Sequence, residues 1–322
     1  MKAAVLSVLN QPPRCEEFQE PMASEGEVIV RVRAAALKPI DRQLASGAHY
    51  ASQLTLPMIC GTDGVGTLDD GRRVFFAAPR APYGTMAERA VVAGMRCFPL
   101  PDNVDDVTAA AVFNPGLSAF GALKWRAQVV AGETVLILGA TGVTGKLAIQ
   151  TAKLLGAGRV IAAGRNEKVL NSLRELGAHA IIRLDKTGKE LSEVFAREAG
   201  ANGFDVVIDY LWGSPIEAML GSITQKDFSA ASSRVRLVQV GESAGSTISL
   251  PAAVLRSSRL EILGAGSGNA PASREAWGEA IQWLLGNVAS GALKIDTERV
   301  PLAEVESAWG RNWEGRRAVL VP

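Results

Sequence analysis

The amino-acid sequence predicts an α/β protein that combines a doubly wound parallel sheet with a separate, smaller β domain. In the middle of the chain, continuous apolar runs bounded by glycine alternate with helical stretches. Apolar strands separated by helices are typical of a parallel sheet that is covered by helices on both faces. Nearer the start, short β-type segments are separated by Gly, Pro and Asp turns, which is the pattern of a compact β domain.

The elements of the middle region follow one another from Glu133 onward. The predicted strands are TVLILGA, RVIAAGR, AIIRL, FDVVIDYLW and VRLVQVG. The predicted helices are GKLAIQTAKLLGA, EKVLNSLRELGA, a charged helix at 187–200 and a further helix at 215–223. This alternation predicts parallel strands that are joined by helical crossovers.

The first and last regions are predicted to form one domain. The first contains the β-type segments EVIVRVRAAAL, RRVFFAA and MAERAVVA. The last, after LEILGAG, contains one amphipathic helix around 276–285, then ALKIDTERVPL and the strand RRAVLVP. Because it is too short for a core of its own, we expect it to return to the first region. The expected division is 1–117 with 257–322 as one domain and 118–256 as the other.

Length and composition favour two soluble domains and a small-molecule partner. The chain has 322 residues, more than one hydrophobic core usually sustains. Hydrophobic residues make up 48% and charged residues 21%, as in ordinary globular proteins. The chain carries 34 Lys and Arg against 33 Asp and Glu, so no overall field would attract nucleic acid or an anionic membrane.

Cysteine and histidine are scarce. Cys15, Cys60 and Cys97 have no CxxC spacing, and His49 and His179 are the only histidines. A four-cysteine or histidine-rich metal centre therefore cannot be assembled, and no metal ligand is predicted. No run approaches the ~18 apolar residues that span a bilayer. The start also lacks a secretion signal of sufficient length, so we expect a cytoplasmic protein.

The strongest functional signal is a glycine-rich turn between the strand TVLIL and the helix that follows it. Its residues are Gly139, Ala140, Thr141, Gly142, Val143, Thr144 and Gly145. In a dinucleotide-binding turn, one glycine makes the tight turn, another lets backbone N–H groups approach a diphosphate, and the third lets helix pack on strand. The helix N-terminus adds partial positive charge. An ordinary strand-to-helix turn is the alternative, which the complete strand, turn, helix and second strand disfavour.

The end of the second strand predicts which dinucleotide binds. Gly164, Arg165 and Asn166 lie there, and Lys168 follows. An NAD-selective site normally has Asp or Glu at this place to accept from the ribose hydroxyls, whereas Arg suits a 2′-phosphate. The sequence therefore predicts NADPH. For Lys168, a solvated helix start is an equally good interpretation.

The motifs of three other enzyme classes are incomplete, absent or placed in the wrong surroundings. The segment GESAG at 241–245 matches the G-x-S-x-G elbow of esterases. However, such an elbow leads into a helix, whereas the chain after GESAG is predicted to be extended, and the catalytic His should follow the serine, whereas both histidines precede it. A P-loop would need Gly and Ser or Thr where the chain has Ala140 and Leu147. No Tyr-x-x-x-Lys pair of the short-chain dehydrogenase type is present.

Motifs along nearly the whole chain resemble those of the medium-chain dehydrogenase/reductase superfamily, and they occur in the same order. The segment DRQLASGAHY resembles P-x-D…SG-x-Y, GTDGVG resembles G-x-[DE]-x-x-G, and GTMAE resembles GG-x-AE. The resemblance implies a Rossmann domain inserted in a GroES-like β domain, and a homodimer joined through the edge strands of the Rossmann sheet.

The branch that this chain resembles is the metal-free one. In zinc alcohol dehydrogenases of the superfamily a Gly-His-Glu motif supplies a ligand, whereas Thr62 and Asp63 replace His and Glu here. The cysteine-rich structural zinc lobe is also missing. Metal-free members include quinone oxidoreductases and enone or enoyl reductases, so the resemblance implies NADPH-dependent hydride transfer to a quinone or an α,β-unsaturated carbonyl.

The resemblance also implies roles for single residues. Tyr50 matches the family's tyrosine and could donate to the acceptor oxygen, or could line the cleft by shape alone. Lys38 stands where the family commonly has Asn; it could donate to an oxyanion, but an ion pair with Asp41 is favoured. Ser118 matches a Thr or Ser at the start of the domain-joining helix, near the nicotinamide. The glycines Gly241, Gly264 and Gly266 would flank the cofactor.

Two other functions stay open at this point. One is an esterase built on the GESAG segment, which is disfavoured. The other is a dinucleotide-binding protein without turnover, because a fold alone does not establish catalysis.

Overall fold

The computed structural model describes residues 1–49, 52, 55–224, 234–271 and 273–322. The chain divides into two compact units, one formed by Met1–Asn114 with Ile281–Pro322 and the other by Pro115–Ala280. The second unit extends beyond the expected end at residue 256 because the strand Arg259–Gly264 joins its parallel sheet. The first boundary lies a few residues before the expected one.

The first region is mostly short strands. In chain order its elements are β1 (Lys2–Leu6), β2 (Arg14–Glu17), β3 (Glu27–Ala36), α1 (Pro39–Ser46), β4 (Met58–Ile59), β5 (Asp63–Thr67), β6 (Arg73–Ala77), β7 (Arg89–Ala93), a 3-10 turn (Gly94–Arg96) and β8 (Cys97–Pro99). A long helix, α2 (Asp106–Phe120), follows and contains the first unit boundary.

The second unit alternates strands with helices, as the sequence predicts. After a π-helical segment (Gly121–Arg126) its elements are β9 (Thr134–Leu138), α3 (Val143–Leu154), β10 (Arg159–Gly164), α4 (Glu167–Ser172), β11 (Ala180–Arg183), α5 (Gly188–Ala199), β12 (Val206–Asp209), α6 (Gly213–Ile223), β13 (Arg234–Gln239), α7 (Ala252–Ser257), β14 (Arg259–Gly264) and a 3-10 turn (Ser267–Asn269).

In the described part of this unit, six strands form a parallel sheet in the order β11-β10-β9-β12-β13-β14. The order reverses next to β9, which carries the glycine turn at its carboxyl end. Residues Val135 to Leu138 of β9 are all fully buried, which explains why the strand is apolar without alternation. The α/β fold class is thereby confirmed.

Helix α4 is shorter than its sequence pattern predicts. It ends at Ser172, and the chain continues in turns whose amides donate three residues back, from Leu173 to Leu170 and from Leu176 to Leu173. These turns end at Gly177, whose φ of +108° a residue with a side chain rarely adopts.

The C-terminal segment returns to the first unit's sheet. Its elements are α8 (Arg274–Ala289), β15 (Thr297–Pro301), a 3-10 turn (Leu302–Glu304), α9 (Val305–Trp309) and β16 (Arg317–Val321). Strand β16 pairs antiparallel with β3 in the sheet β15-β16-β3-β5-β6-β8, where β7 also pairs with β3. A smaller sheet has the order β2-β1-β4. Leu320 of β16 is buried in the same core as Phe76 and Val92.

Candidate functional site

The glycine turn lies between β9 and α3, and two of its glycines are required by geometry. Gly139 has a φ of +83°. At Gly145 a Cβ would stand 2.4 Å from the Gly139 carbonyl oxygen and 2.5 Å from the Ala140 Cα. Since both of these are backbone atoms, a side chain at Gly145 would force the turn apart. The third glycine therefore allows helix α3 to pack closely on the turn.

The amides of the turn divide into two groups. The N–H groups of Gly139 and Ala140 donate to the Ala163 carbonyl of β10, at 3.0 and 2.9 Å. These two residues therefore shape the turn. Helix α3 begins after Gly142, and the first N–H groups of any α-helix, here those of Val143 and Thr144, have no acceptor within the helix. Such a helix start suits an anionic group such as a diphosphate.

The predicted cofactor-selecting residues lie at the carboxyl end of β10, beside the end of β9. Arg165 and Lys168 are exposed. Asn166 caps α4, since its Oδ1 accepts from the Val169 amide at 3.2 Å. A Cβ at Gly164 would stand 2.6 Å from the Thr141 Cγ2, so the strand end packs directly on the glycine turn. Arg165 and Lys168 are thus the two residues of this group whose exposed side chains could contact a ligand.

The predicted glycines Gly241, Gly264 and Gly266 lie at the carboxyl ends of β13 and β14, on the same edge of the sheet as the glycine turn. Cofactors bind at this edge in doubly wound sheets. Arg126 was not singled out from the sequence, yet its Nε donates to the Gly264 carbonyl at 2.8 Å. It therefore fixes the loop that leaves β14.

Ser118 does not lie at the start of its helix, so its expected position in the helix is wrong, while its expected place near the nicotinamide stays a prediction. Helix α2 begins at Asp106, where the Asp105 Oδ1 accepts from the amides of Val107 and Thr108 at 3.1 and 3.0 Å. This is a helix N-cap. Ser118 lies near the other end of α2, beyond Pro115, which stands inside the helix.

The GESAG segment is not a nucleophile elbow in this structure. No helix follows it directly, since α7 begins only at Ala252. The Ser243 Oγ donates to the Tyr210 carbonyl at 3.0 Å. The Nδ1 of His179 accepts from the Val160 amide at 3.0 Å, far along the sheet from the segment. The segment instead supports the chain after β12.

The last residue of β12, just before this segment, is a buried aspartate that was not singled out from the sequence. Asp209 ends β12 and is fully buried. Its Oδ1 accepts from the amides of Leu211 and Trp212 at 2.8 and 3.1 Å. Burial raises the pKa of Asp209 to about 6, against the opposing effect of these two amides. An Asp at the end of a strand, followed by apolar residues, is common in sequences. Its raised pKa could therefore not be predicted from the sequence.

In the first unit, Lys38 is enclosed by acceptors. The side chain is 1% exposed. Its Nζ lies 3.3 Å from the Asp41 Oδ2, 3.1 Å from the Asp63 Oδ2 and 3.1 Å from the Ala36 carbonyl oxygen. Burial lowers the pKa of Lys38, but the Asp41 and Asp63 carboxylates outweigh it and hold the pKa above its ordinary value. An ammonium has three donors, so these acceptors use all of them.

The charges around Lys38 balance. Arg317 of β16 is also buried, and its guanidinium donates to the Leu37 carbonyl at 2.9 Å. Two cations therefore face the two carboxylates. The Thr62 hydroxyl is within hydrogen-bonding distance of Asp41 Oδ1 at 3.3 Å and of Asp63 Oδ2 at 3.0 Å. This geometry favours the ion pair over the oxyanion donor as the role of Lys38. Tyr50, the other predicted catalytic residue, lies outside the described residues.

The described residues contain neither a metal-binding cluster nor a membrane-spanning helix. No group of three or more His, Cys, Asp or Glu side chains in this part of the chain is arranged to hold a metal ion. Among the helices that the structure describes, none combines the length and apolarity needed to cross a membrane.

Comparison with known proteins identifies the family. Residues 24–102 match the alcohol dehydrogenase GroES-like domain, and residues 143–286 match the zinc-binding dehydrogenase domain. The solved quinone oxidoreductase of Thermus thermophilus, whose structures include a complex with NADPH, is 31% identical and covers 100% of both chains with a TM-score of 0.81. The chain belongs to the medium-chain dehydrogenase/reductase superfamily.

Other members of the superfamily are similar over different lengths. A protein of Emericella nidulans named as a probable NADPH-dependent quinone reductase is 27% identical over 100% of both chains. The quinone oxidoreductase of Sus scrofa is 30% identical over 59% of this chain, a match that spans 59% of the pig protein's own length.

Proposed function

We propose that the chain catalyses NADPH-dependent reduction of a quinone or an α,β-unsaturated carbonyl. The observation that carries this proposal is the geometry of the glycine turn at 139–145. There Gly145 packs closely on Gly139 and helix α3 begins, so the turn would form a cradle for a diphosphate. The activities for which the relatives are named agree with it, since two of those described are quinone oxidoreductases and the third is a probable quinone reductase.

The residues of the second unit would bind and orient the dinucleotide. The amides at the start of α3 would hold the diphosphate. Arg165, at the end of β10, would contact the 2′-phosphate and so select NADPH over NADH. Gly241 and the loop 264–266, fixed by Arg126, would flank the nicotinamide half at the same sheet edge. These contacts would leave the reduced ring open to an acceptor.

When bound, NADPH supplies a hydride from its nicotinamide ring. The protein's contribution is to hold the acceptor close and in the correct orientation, an effect worth several kcal/mol in well-aligned reactions. Quinones and enones suit this arrangement because they are already electron-poor. Tyr50 would donate to the acceptor oxygen as negative charge develops there. The reduced acceptor then takes its proton from this donor or from water.

We also propose that the reaction needs no zinc. The Lys38 ammonium lies between the Asp41 and Asp63 carboxylates, so the charge of these residues is already balanced by a cation of the protein itself. Thr62 and Asp63 also replace the Gly-His-Glu ligand motif. Metal analysis of the purified protein tests this proposal, because a stoichiometric zinc content that supports turnover would refute it.

A homodimer in the cytoplasm is part of the same proposal. Strand β14 ends the described parallel sheet, with β13 on one side, and its residues are largely accessible, with Ile262 39% exposed. A free sheet edge of this kind can pair with a second copy of the same strand. Analytical ultracentrifugation tests the oligomeric state, and a monomer at micromolar concentration would contradict it.

The activity is tested by following NADPH absorbance with a panel of quinones and enones. We expect saturable oxidation of NADPH with at least one acceptor class, and slower oxidation of NADH. Saturable NADPH binding without oxidation by any acceptor would instead support a non-enzymatic dinucleotide-binding protein. Cofactor-independent cleavage of p-nitrophenyl acetate that disappears in Ser243→Ala would support the esterase.

A further inference from the structure

Asp209 is a buried acid that the proposed chemistry does not use. It is fully buried, and in the described part of the chain no cation pairs with it. Its oxygens instead accept from backbone amides, Oδ1 from Leu211 and both Oδ1 and Oδ2 from Trp212. A buried carboxylate without a cation is costly even when backbone amides donate to it, so Asp209 is a candidate for a functional role.

Asp209 lies directly beside the strand that carries the glycine turn. It is in register with Leu138, the last residue of β9, and the Tyr210 amide donates to the Leu138 carbonyl at 3.2 Å. Neighbouring strands are about 4.8 Å apart. The backbone of Asp209 therefore lies one strand spacing from the end of the strand that carries the glycine turn.

The segment that Asp209 organises forms a wall of the glycine turn. A Cβ on Gly139 would stand 3.2 Å from the Tyr210 Cβ and 3.2 Å from the Leu211 Cδ2. Trp212, whose amide Asp209 binds, has a φ of +55°, so this segment is held in a conformation that its residues do not adopt readily. Moving the segment would therefore change the shape of the turn.

The turn after β13 braces the same segment from the other side. The Ser243 Oγ donates to the Tyr210 carbonyl at 3.0 Å, and the Ala244 amide donates to the Leu211 carbonyl at 2.7 Å. The segment is thus fixed by the Asp209 carboxylate on its amides and by 243–244 on its carbonyls.

We propose that Asp209 positions the wall of the dinucleotide cradle through its acceptor oxygens, and that dinucleotide binding is coupled to uptake of a proton by its carboxyl group. The inference rests on the proposed function, since it needs the glycine turn to bind an anionic cofactor. Asp209 acts through the backbone of 210–212, so it is a positioning residue.

The coupling follows from charge. The bound diphosphate would bring negative charge to the same edge of the sheet as this buried carboxylate, one strand away, and like charges in a poorly solvated place disfavour ionisation. Burial already raises the pKa of Asp209 to about 6, and bound dinucleotide raises it further. By linkage, the protonated protein binds the dinucleotide more tightly than the ionised protein does.

Among the described residues, no charged side chain contributes to the pKa of Asp209. The adjoining segments carry four ionisable groups in the described part of the chain: the Tyr210 phenol, Lys146 in α3, Glu217 in α6 and Glu242 after β13. The shift in the pKa of Asp209 has no contribution from any of them, only from burial and the two amides. Burial also raises the pKa of the Tyr210 phenol, so that group stays neutral.

The experiment measures proton uptake on binding by titration calorimetry, with NADPH in buffers of different ionisation enthalpy. Three proteins are compared: the wild type, Asp209→Asn and the matched control Asp205→Asn. Asp205 lies just before the other end of β12, and its Oδ2 accepts from the Thr134 amide at 2.8 Å. Both variants therefore replace a carboxylate that accepts from a backbone amide. Only Asp209 is at the end of β12 that neighbours the glycine turn.

We expect the wild type and Asp205→Asn to take up a fraction of a proton near pH 6.5 and to bind NADPH several-fold more tightly at about pH 6 than at about pH 8. In Asp209→Asn the proton uptake that comes from residue 209 should be absent. The affinity for NADPH should accordingly depend less on pH than in the wild type. The 2′-phosphate of NADPH also titrates in this range, so the comparison is repeated with NADH, which lacks it. Asp209→Ala, which has no acceptor, should bind both dinucleotides at least tenfold more weakly at every pH.

The outcomes separate this inference from the proposed function. If the wild type binds dinucleotide and Asp209→Asn shows the same proton uptake, the coupling is wrong while the proposed function stands. If the folded wild type binds neither NADPH nor NADH, both are overturned. Thermal melting of each variant establishes that the compared proteins are folded.

Discussion

The Lys38 ammonium lies 3.1 Å from the Asp63 carboxylate, and both side chains are almost completely buried. They come from different elements, since Lys38 precedes α1 and Asp63 begins β5. The pair, together with Asp41, therefore connects a helix start to the sheet. Buried ion pairs of this kind add little net stability, but breaking one leaves an uncompensated charge.

We predict that Lys38→Met lowers the free energy of unfolding by ~3–5 kcal/mol, because it leaves two buried carboxylates opposite Arg317 alone. Urea denaturation measures the change. The double variant Lys38→Met with Asp63→Asn should recover part of the loss. Lys189→Met is the matched control: Lys189 is 89% exposed and pairs only loosely with Glu193, so we expect a change below about 0.5 kcal/mol. A loss in the control equal to that in Lys38→Met would contradict the prediction.

The parallel sheet and the glycine turn could be predicted from the sequence because their causes are local. Strands buried on both faces must be apolar throughout, as Val135 to Leu138 are. A turn with a φ of +83° at Gly139 needs glycine, whatever lies further away. Signals of this kind are readable from neighbouring residues alone.

The other site residues depend on contacts that the sequence does not state. Lys38 and Asp63 are 25 positions apart in the chain and come together only in the folded unit, where Arg317 reaches the same place from the last strand. Asp209 looks like an ordinary polar strand end, and its perturbed pKa arises from burial by the whole unit. Ser118 was placed at a helix start only by resemblance to the family, whereas the structure has it near the end of α2.

We predict that Gly145→Ala weakens NADPH binding by about tenfold or more, which corresponds to at least ~1.4 kcal/mol. The added methyl would collide with the backbone of Gly139 and Ala140, so the turn must open. Fluorescence titration with NADPH measures the affinity. The matched control is Gly278→Ala in α8, where a Cβ meets nothing within 4 Å. There the substitution should leave binding unchanged and stabilise the protein by ~0.5–1 kcal/mol.

We predict that Arg165→Ala raises the KM for NADPH by roughly ten- to hundredfold, as expected for loss of a charge-assisted contact to a phosphate. The KM for NADH should stay nearly the same, because NADH has no 2′-phosphate. Steady-state kinetics with both cofactors measures the ratio. Arg256→Ala, which removes an exposed arginine from α7, serves as the control. If Arg165→Ala changes the values for the two cofactors equally, Arg165 does not select between them.

The last prediction concerns the pH dependence of stability. Burial raises the pKa of Asp209 from 3.8 to about 6, so the folded protein binds this proton more tightly than the unfolded chain does. The stabilisation from Asp209 is therefore fully present below its unfolded pKa and is lost as the pH rises through about 6. Since one pKa unit corresponds to ~1.4 kcal/mol, the whole loss is ~3 kcal/mol.

Asparagine keeps an acceptor for the Leu211 and Trp212 amides but cannot ionise. We therefore expect the free energy of unfolding of Asp209→Asn, relative to the wild type, to rise as the pH is raised from about 5 to about 8. Urea denaturation across this range measures the difference. Parallel curves for the two proteins would mean that Asp209 does not titrate there in the folded state, and the proton coupling of the dinucleotide site would lose its physical basis.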